Sequence, residues 1–315
     1  SRRPMGRILR PLRDMGADIE SEDGHAPLSL RPAALEARRM KLPVASAQVL
    51  SAVLLAGLNA RGTTAVEVPG ETRDHTERML PQFGADLTVD GRKRLLRGPA
   101  RLAGTALCVP GDLSSAAFLV AAAVLVPESK IRLEGVGVNP TRDGFLRVLE
   151  RMTGMHPVAR IGASPPEAGG EPIATLEVSH SSLHGVEIPR DWVAPAIDEF
   201  PVLMALAARA EGETRIRGAG ELRVKESDRL AVMCEQLRRL GVDVVERDDG
   251  ADVRGGTVQG GCVDAGGDHR IAMSLAVLAL VAEGPVTVRG AEWIRTSYPG
   301  FVDDLCRLGA EAEWT

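Results

Sequence analysis

Lysine is scarce in this chain. Four of the 38 basic residues are Lys (Lys41, Lys93, Lys130 and Lys225), so 34 are Arg. Each lysine is therefore a position to examine. A basic excess is also missing, because 43 acidic residues leave a net charge of −5. A general nucleic-acid binder needs the opposite balance, so nucleic acid is not expected as a partner. Paired cysteines are absent too. Cys108, Cys234, Cys262 and Cys306 show no CxxC or paired spacing, which reads as free thiols in a reducing, cytoplasmic compartment, with Cys108 expected in the core. The longest apolar run, Ala116 to Val126, has 11 residues. A membrane span needs about 20, so no membrane partner is expected. The Arg-rich start carries no apolar h-region, so no signal peptide is expected. No GxGxxG or P-loop follows a strand, which argues against a doubly wound nucleotide-binding fold. His180 and His184 lie beside the strand-like Glu177-Val178-Ser179 and before Gly185, which disfavours a zinc pair.

What is present is repetition. Five times a helix-like segment runs into a glycine, at Gly16, Gly84, Gly154, Gly241 and Gly309, with spacings of 68, 70, 87 and 68 residues. A long, nearly fixed period indicates stacked structural units. The last four copies are preceded by an Ala/Leu-rich helix, a short strand and a loop. The pattern predicts these inner helices over 44–58, 114–126, 197–209 and 270–282. The following strands are predicted at 63–68, 131–133, 213–217 and 286–289. Second helices are predicted over 72–83, 141–152, 227–240 and 300–308. The first copy lacks the preceding half, so Ser1 is expected to fall inside a unit. The longer third spacing is assigned to a Pro/Gly-rich excursion at 163–170. Helices as apolar as Ala116 to Ala123 are expected to be buried. The resulting architecture is α/β (α+β), with sheets of mixed pairing wrapped around internal helices.

Four loops place charged or polar groups at helix starts. Glu221 to Arg229 puts Lys225 and Arg229 near a helix N-terminus. A cation there is unfavourable without an anion, so an anion site competes with a solvated helix start capped by Ser227. Gly266-Gly267-Asp268-His269-Arg270 repeats the arrangement, against a plain structural turn. Ser46-Ala47-Gln48 offers a hydroxyl and an amide, against a simple Ser cap. Arg73 follows in another polar helix start, Thr72 to His75. Asp198-Glu199 opens an apolar helix with two carboxylates. Capping explains one of them, and the other is available to take a proton from a substrate hydroxyl. Asp112 to Ser115 reads as a cap at a unit boundary.

Leu42 to Val49, Thr72 to Glu77, Leu222 to Leu230 and Asp268 to Met273 together resemble the 5-enolpyruvylshikimate-3-phosphate synthase family. The resemblance runs from Arg3 to about Gly309. Its Ser-Ala-Gln form is similar to the bacterial glyphosate-tolerant class. It implies a two-domain enolpyruvyl transferase fold with substrates in the cleft and roughly one and a half N-terminal units missing. The domains implied are 1–111 and 112–315. The resemblance also implies transfer of the enolpyruvyl group from phosphoenolpyruvate to the 5-hydroxyl of shikimate-3-phosphate, with release of phosphate. It assigns Ser46, Ala47, Gln48, Arg73 and Lys225 to shikimate-3-phosphate, and Arg3, Arg229 and Arg270 to phosphoenolpyruvate. Asp198 and Glu226 become the proton-handling groups. No metal or other cofactor is implied. Arg295 stands where some members carry a Lys.

Three alternatives remain at this level. The first is a UDP-N-acetylglucosamine enolpyruvyl transferase, disfavoured by the Lys225 to Arg229 segment. The second is a catalytically impaired remnant that still binds shikimate-3-phosphate. The third is one part of a split enzyme completed by a separate N-terminal polypeptide. An incomplete domain is expected to self-associate through exposed apolar surface.

Overall fold

The computed structural model describes residues 4–154, 158–164 and 170–315, with side chains over 4–154 and 170–315. Arg3 and residues 165–169 of the Pro/Gly-rich excursion lie outside the described residues. Ala163 and Ser164 belong to a strand. Two compact units are present. The first takes in the described residues up to Val109, with Gly170 and Glu171. The second takes in the described residues from Pro110 through Ser164 and from Pro172 to Thr315.

The first unit contains α1 (Gly6–Asp14), β1 (Asp18–Glu22), β2 (His25–Arg31), β3 (Arg39–Lys41), α2 (Ala47–Gly57), β4 (Gly62–Glu67), α3 (His75–Gln82), β5 (Leu87–Asp90) and β6 (Lys93–Gly98). Its sheet has the order β3-β4-β6-β5, with β3 parallel to β4 and the remaining pairs antiparallel. Read in sequence, β3 to β6 make one β-α-β-α-β-β unit. The segment α1-β1-β2 is the α-β-β part of another, its two strands forming a separate antiparallel hairpin.

The second unit repeats the same construction. It begins with α4 (Leu113–Leu125), β7 (Lys130–Gly137), α5 (Gly144–Thr153), β8 (Val158–Ser164) and β9 (Ile173–Ser179). Next come α6 (Phe200–Ala207), β10 (Glu213–Ile216), α7 (Arg229–Arg239), β11 (Asp243–Arg247) and β12 (Gly250–Arg254). β13 (Gly261–Asp264), α8 (His269–Ala279), β14 (Val286–Arg289) and α9 (Phe301–Arg307) follow. The sheets are β7-β9-β8, β10-β12-β11 and β13-β14. Where β3 lies beside β4 in the first unit, β13 lies parallel to β14 here, and single parallel bridges take that place in the other two copies. Gly111 pairs with Val136, and Glu187 pairs with Arg215.

The repeat glycines are helix stops. All five have positive φ: Gly16 97°, Gly84 84°, Gly154 65°, Gly241 80° and Gly309 100°. In four of them the next residue donates its N–H to a leucine carbonyl five positions back: Ala17 to Leu12, Ala85 to Leu80, Val242 to Leu237, and Ala310 to Leu305. The glycine itself bonds three residues back. This is the left-handed termination in which a glycine avoids a Cβ clash and the flanking apolar residues meet. It explains why Leu-x-x-x-Gly-Ala/Val recurs in the sequence.

The inner helices behave differently in the two units. In α4, twelve of thirteen residues are buried, and every residue of α6 is buried. Together with α8 they pack on one another in the core of the second unit. Their alanines permit that close approach without voids. In the first unit α2 buries Val49, Leu50, Val53, Leu54 and Gly57 against α1, β4 and β6. Its other side is open, with Leu55 49% exposed. The expectation that apolar inner helices are buried all round therefore holds for α4 and α6 and not for α2.

Candidate active site

The charged helix starts of the second unit form one network, and its centre is Arg229. This residue opens α7 and is 2% exposed. Desolvation makes an unpaired charge at that depth unfavourable by on the order of several kcal/mol. Three carboxylates compensate it. Nε donates to Asp268 Oδ2 at 2.7 Å, one terminal nitrogen donates to Glu226 Oε2 at 2.7 Å, and the other lies 3.4 Å from Asp198 Oδ1. The anion that the sequence demanded beside Arg229 is thus supplied by the protein itself. Lys225 meets the same carboxylate, with Nζ 3.5 Å from Asp198 Oδ1, and also pairs with Glu221 at 2.9 Å.

The caps differ from expectation. Asp228, not Ser227, caps α7, accepting the Ala231 N–H at 3.0 Å. The Ser227 hydroxyl instead donates to Asp268 at 3.2 Å. Asp268 caps α8 through the Arg270 N–H at 2.9 Å. Burial pushes the Asp268 carboxyl up, but hydrogen bonds from Arg229 and the Arg270 backbone outweigh it and hold the group below its ordinary range. Next to it, burial and the Arg270 charge hold the His269 imidazole below its usual pKa. Gly266 and Gly267 both have positive φ, but the Gly266 N–H is taken by Asp264 at 2.8 Å rather than left open.

Asp198 and Glu199 are not caps either. A 3-10 turn, Ala194–Glu199, precedes α6, and neither its start nor that of α6 carries a side-chain cap. The Asp198 carboxylate faces Lys225 and Arg229. Its backbone carbonyl accepts from Arg270 at 3.2 Å. Glu199 turns the other way. It accepts from the Ser114 hydroxyl at the start of α4 and lies 3.8 Å from Arg270. Arg142 donates to Ser114 Oγ at 2.7 Å and pairs with Asp112 at 3.1 Å. Ser114, Arg142, Glu199 and Asp268 therefore belong to the network in positions for which the sequence reading gave no settled role. Their common signal is position, since three of them open inner helices.

In the first unit, Ser46 occupies the N-cap position of α2 but makes no side-chain cap hydrogen bond. The plain Ser-cap reading is thus not what the geometry shows. Ala47 and Gln48 form the first turn, with Ala47 part-exposed and Gln48 exposed. Arg73 lies in the loop before α3, part-exposed. Asp74 does not cap α3 and instead accepts from Arg78 Nε at 2.8 Å. Cys108, expected in the core, is exposed, as are Cys262 and Cys306, while Cys234 is buried. His180 bonds the Val124 carbonyl at 2.7 Å and His184 lies 3.7 Å from Glu211, so the two rings serve separate structural partners. Among the described residues, no group of His, Cys, Asp and Glu could hold a metal ion.

Repeated β-α-β-α-β-β units that gather Asp, Glu, Lys and Arg at the starts of α6, α7 and α8 have the groups that anionic substrates and proton transfer call for. The model for EPSP synthase (3-phosphoshikimate 1-carboxyvinyltransferase) matches residues 1–305. The 3-phosphoshikimate 1-carboxyvinyltransferase of Acidithiobacillus ferrooxidans (strain ATCC 53993 / BNL-5-31) is 53% identical over 301 residues, covering 95% of this chain and 68% of that protein. The protein of that name from Halorhodospira halophila is 51% identical, covering 99% and 70%. A solved EPSP synthase from Acinetobacter baumannii superposes with a TM-score of 0.89 at 44% identity, covering 98% of this chain and 71% of that one. The chain belongs to the EPSP synthase family.

Proposed function

We propose that this chain transfers the enolpyruvyl group of phosphoenolpyruvate to the 5-hydroxyl of shikimate-3-phosphate, with Asp198 and Glu226 moving the protons. The observation that carries the reading is the meeting of Asp198 with Lys225 and Arg229, beside a Glu226 that is 39% exposed at its side chain. Asp198 takes the hydroxyl proton as the oxygen bonds to C2 of phosphoenolpyruvate. The C2–C3 π electrons take a proton at C3 from Glu226. In the resulting adduct the C2–O bond to phosphate breaks, a C3 proton returns to Glu226, and Asp198 yields its proton to the departing phosphate. Asp198 begins and ends ionised, and Glu226, turned from Arg229, begins and ends protonated.

Both substrates are anions, so the cations define where they sit. Lys225 is assigned to shikimate-3-phosphate, and so, separately, are Ser46, Ala47, Gln48 and Arg73. Arg270 and Arg229 bind phosphoenolpyruvate, with Arg3 as a third cation. Arg229 becomes available as Glu226, its most exposed partner, turns toward the substrate. Free cysteines support a reducing, cytoplasmic location. No helix among the described residues is long and apolar enough to cross a membrane. The acceptor is shikimate-3-phosphate rather than a UDP-sugar, in line with the names of the relatives.

The open side of α2 supports a second element of this reading. Leu55 and its neighbours there take a second copy of the chain or a separate N-terminal polypeptide, and the exposed apolar surface is what favours such a contact.

Phosphate release from the two substrates tests the assignment. Release is expected with the native chain and is expected to vanish in Asp198→Ala. Release that survives Asp198→Ala sinks the assigned proton acceptor.

A further inference from the structure

Glu199 is a buried carboxylate that the proposed chemistry leaves unused. It is 3% exposed and caps nothing, although it sits at the N-terminal boundary of α6. Burial pushes its carboxyl up from the ordinary range, against the Ser114 hydrogen bond and the Arg270 charge. A folded chain gains no stability from such a group unless its partners offset the desolvation. The partners are specific. The Ser114 hydroxyl donates to it from α4, and Arg142 donates to Ser114 at 2.7 Å. Arg270, from the first turn of α8, approaches the same oxygen, Oε1, at 3.8 Å and is hydrogen-bonded to the Asp198 carbonyl at 3.2 Å.

The turn that carries Glu199 is itself held tightly. A Cβ on Gly144 would stand 2.7 Å from the Ala196 nitrogen and 2.8 Å from the Pro195 carbonyl carbon, so only glycine lets α5 seat against it. The loop that ends in Gly144 also carries Arg142. One short segment therefore fixes both the backbone under Glu199 and the cation behind Ser114.

We infer that Arg142, Ser114 and Glu199 form a positioning relay that sets the direction of the Arg270 guanidinium. The relay fixes Arg270 on two anchors, the Glu199 carboxylate and the Asp198 carbonyl. One terminal nitrogen, Nη1, is thereby committed to the protein, and the rest of the guanidinium fork is left for an anion. The consequence rests on the assignment of Arg270 to phosphoenolpyruvate. The relay then governs that substrate and leaves shikimate-3-phosphate alone.

Glu199→Gln keeps the shape and the Ser114 hydrogen bond while removing the charge. KM for phosphoenolpyruvate is expected to rise about tenfold, equivalent to about 1.4 kcal/mol. KM for shikimate-3-phosphate and kcat are expected to move less than about twofold, on the rule that lost uniform binding appears in KM alone. Ser114→Ala is expected to shift the same KM in the same direction. The thermal midpoint of Glu199→Gln should stay equal or rise, whereas a purely structural role would lower it. A crystal structure of Glu199→Gln reads the relay without substrate. Arg270 displaced from the Asp198 carbonyl supports the inference, and Arg270 unmoved with unchanged KM values overturns it. Arg270 displaced in a chain whose native form binds no phosphoenolpyruvate keeps the relay and removes the substrate assignment instead.

Discussion

Arg229 and Asp268 form an ion pair almost wholly out of water, with Nε 2.7 Å from Oδ2 and exposures of 2% and 0%. The pair joins the first turn of α7 to the cap of α8 across 39 residues of sequence. Removing Asp268 leaves Arg229 to Glu226 and Asp198 alone. Asp268→Ala is expected to cost about 3–5 kcal/mol, since the buried cation loses its one fully buried carboxylate and the α8 cap is lost. A urea midpoint unchanged from the native protein would contradict this account.

The same carboxylate makes the fold sensitive to acid. Its folded pKa is depressed by Arg229 and by the Arg270 N–H, against the opposing effect of burial. A depressed carboxylate contributes stability that is fully present above its unfolded pKa of about 3.9, and that stability is lost as pH falls through the folded value. The native chain should therefore lose stability below about pH 4, and Asp268→Asn should lose less over that same window. Denaturant midpoints measured at a series of acidic pH values test the difference.

The repeat glycines give a local prediction. Gly84 has φ +84° and nothing lies within 4 Å of the position a Cβ would take, so a methyl group meets only backbone strain. Gly84→Ala should cost about 1–2 kcal/mol, the penalty for an L-residue in the left-handed region. Gly91→Ala, in the turn between β5 and β6 at φ +52°, probes the same strain in a hairpin. Thermal midpoints lower by roughly 2–8 °C in Gly84→Ala are expected from the size dependence of melting.

The glycine stops and the buried inner helices were legible because each rests on a local rule: a left-handed cap, or an unbroken apolar run. The returning strands β6 and β12 were not, although Glu177 to Ser179 of β9 read as strand. In β6 one of the two inward positions is filled by Arg94, buried and paired with Glu77 at 3.1 Å, so the alternation that marks a strand reads as solvated charge. In β12, Asp252 plays the same part, held by Arg217 and Arg247. The site divides similarly. Asp198, Lys225, Arg229 and Arg270 stand out because charges at apolar helix starts are conspicuous. Ser114 and Glu199 meet across 85 residues, from two different repeats, and no local pattern announces their pairing.

Thiol reactivity separates the four cysteines. Cys108, Cys262 and Cys306 are exposed. Cys234 is buried in α7, and burial pushes its thiol up to about 12. The thiolate is the reacting species, so Cys234 should resist alkylation at pH 8 while the other three are modified. Mass spectrometry of the intact chain should show three adducts in the native state and a fourth once denaturant is added. Four adducts at native-state rates would place Cys234 in a different environment.

Neighbouring leucines on α2 distinguish core from open surface. Leu54 is fully buried, and Leu54→Ala should cost about 2–5 kcal/mol through lost burial and the cavity left behind. Leu55, one position on, is 49% exposed. Leu55→Glu should leave stability within about 0.5 kcal/mol, as surface changes usually do. Its effect should appear in association instead, because a charge on that face opposes burial against a second apolar surface. Light scattering of the native chain is expected to show a mass above the monomer that rises with concentration, and Leu55→Glu is expected to shift it toward the monomer. A native chain that stays monomeric at every concentration would remove self-association, and would leave the open side of α2 to a separate polypeptide or to solvent.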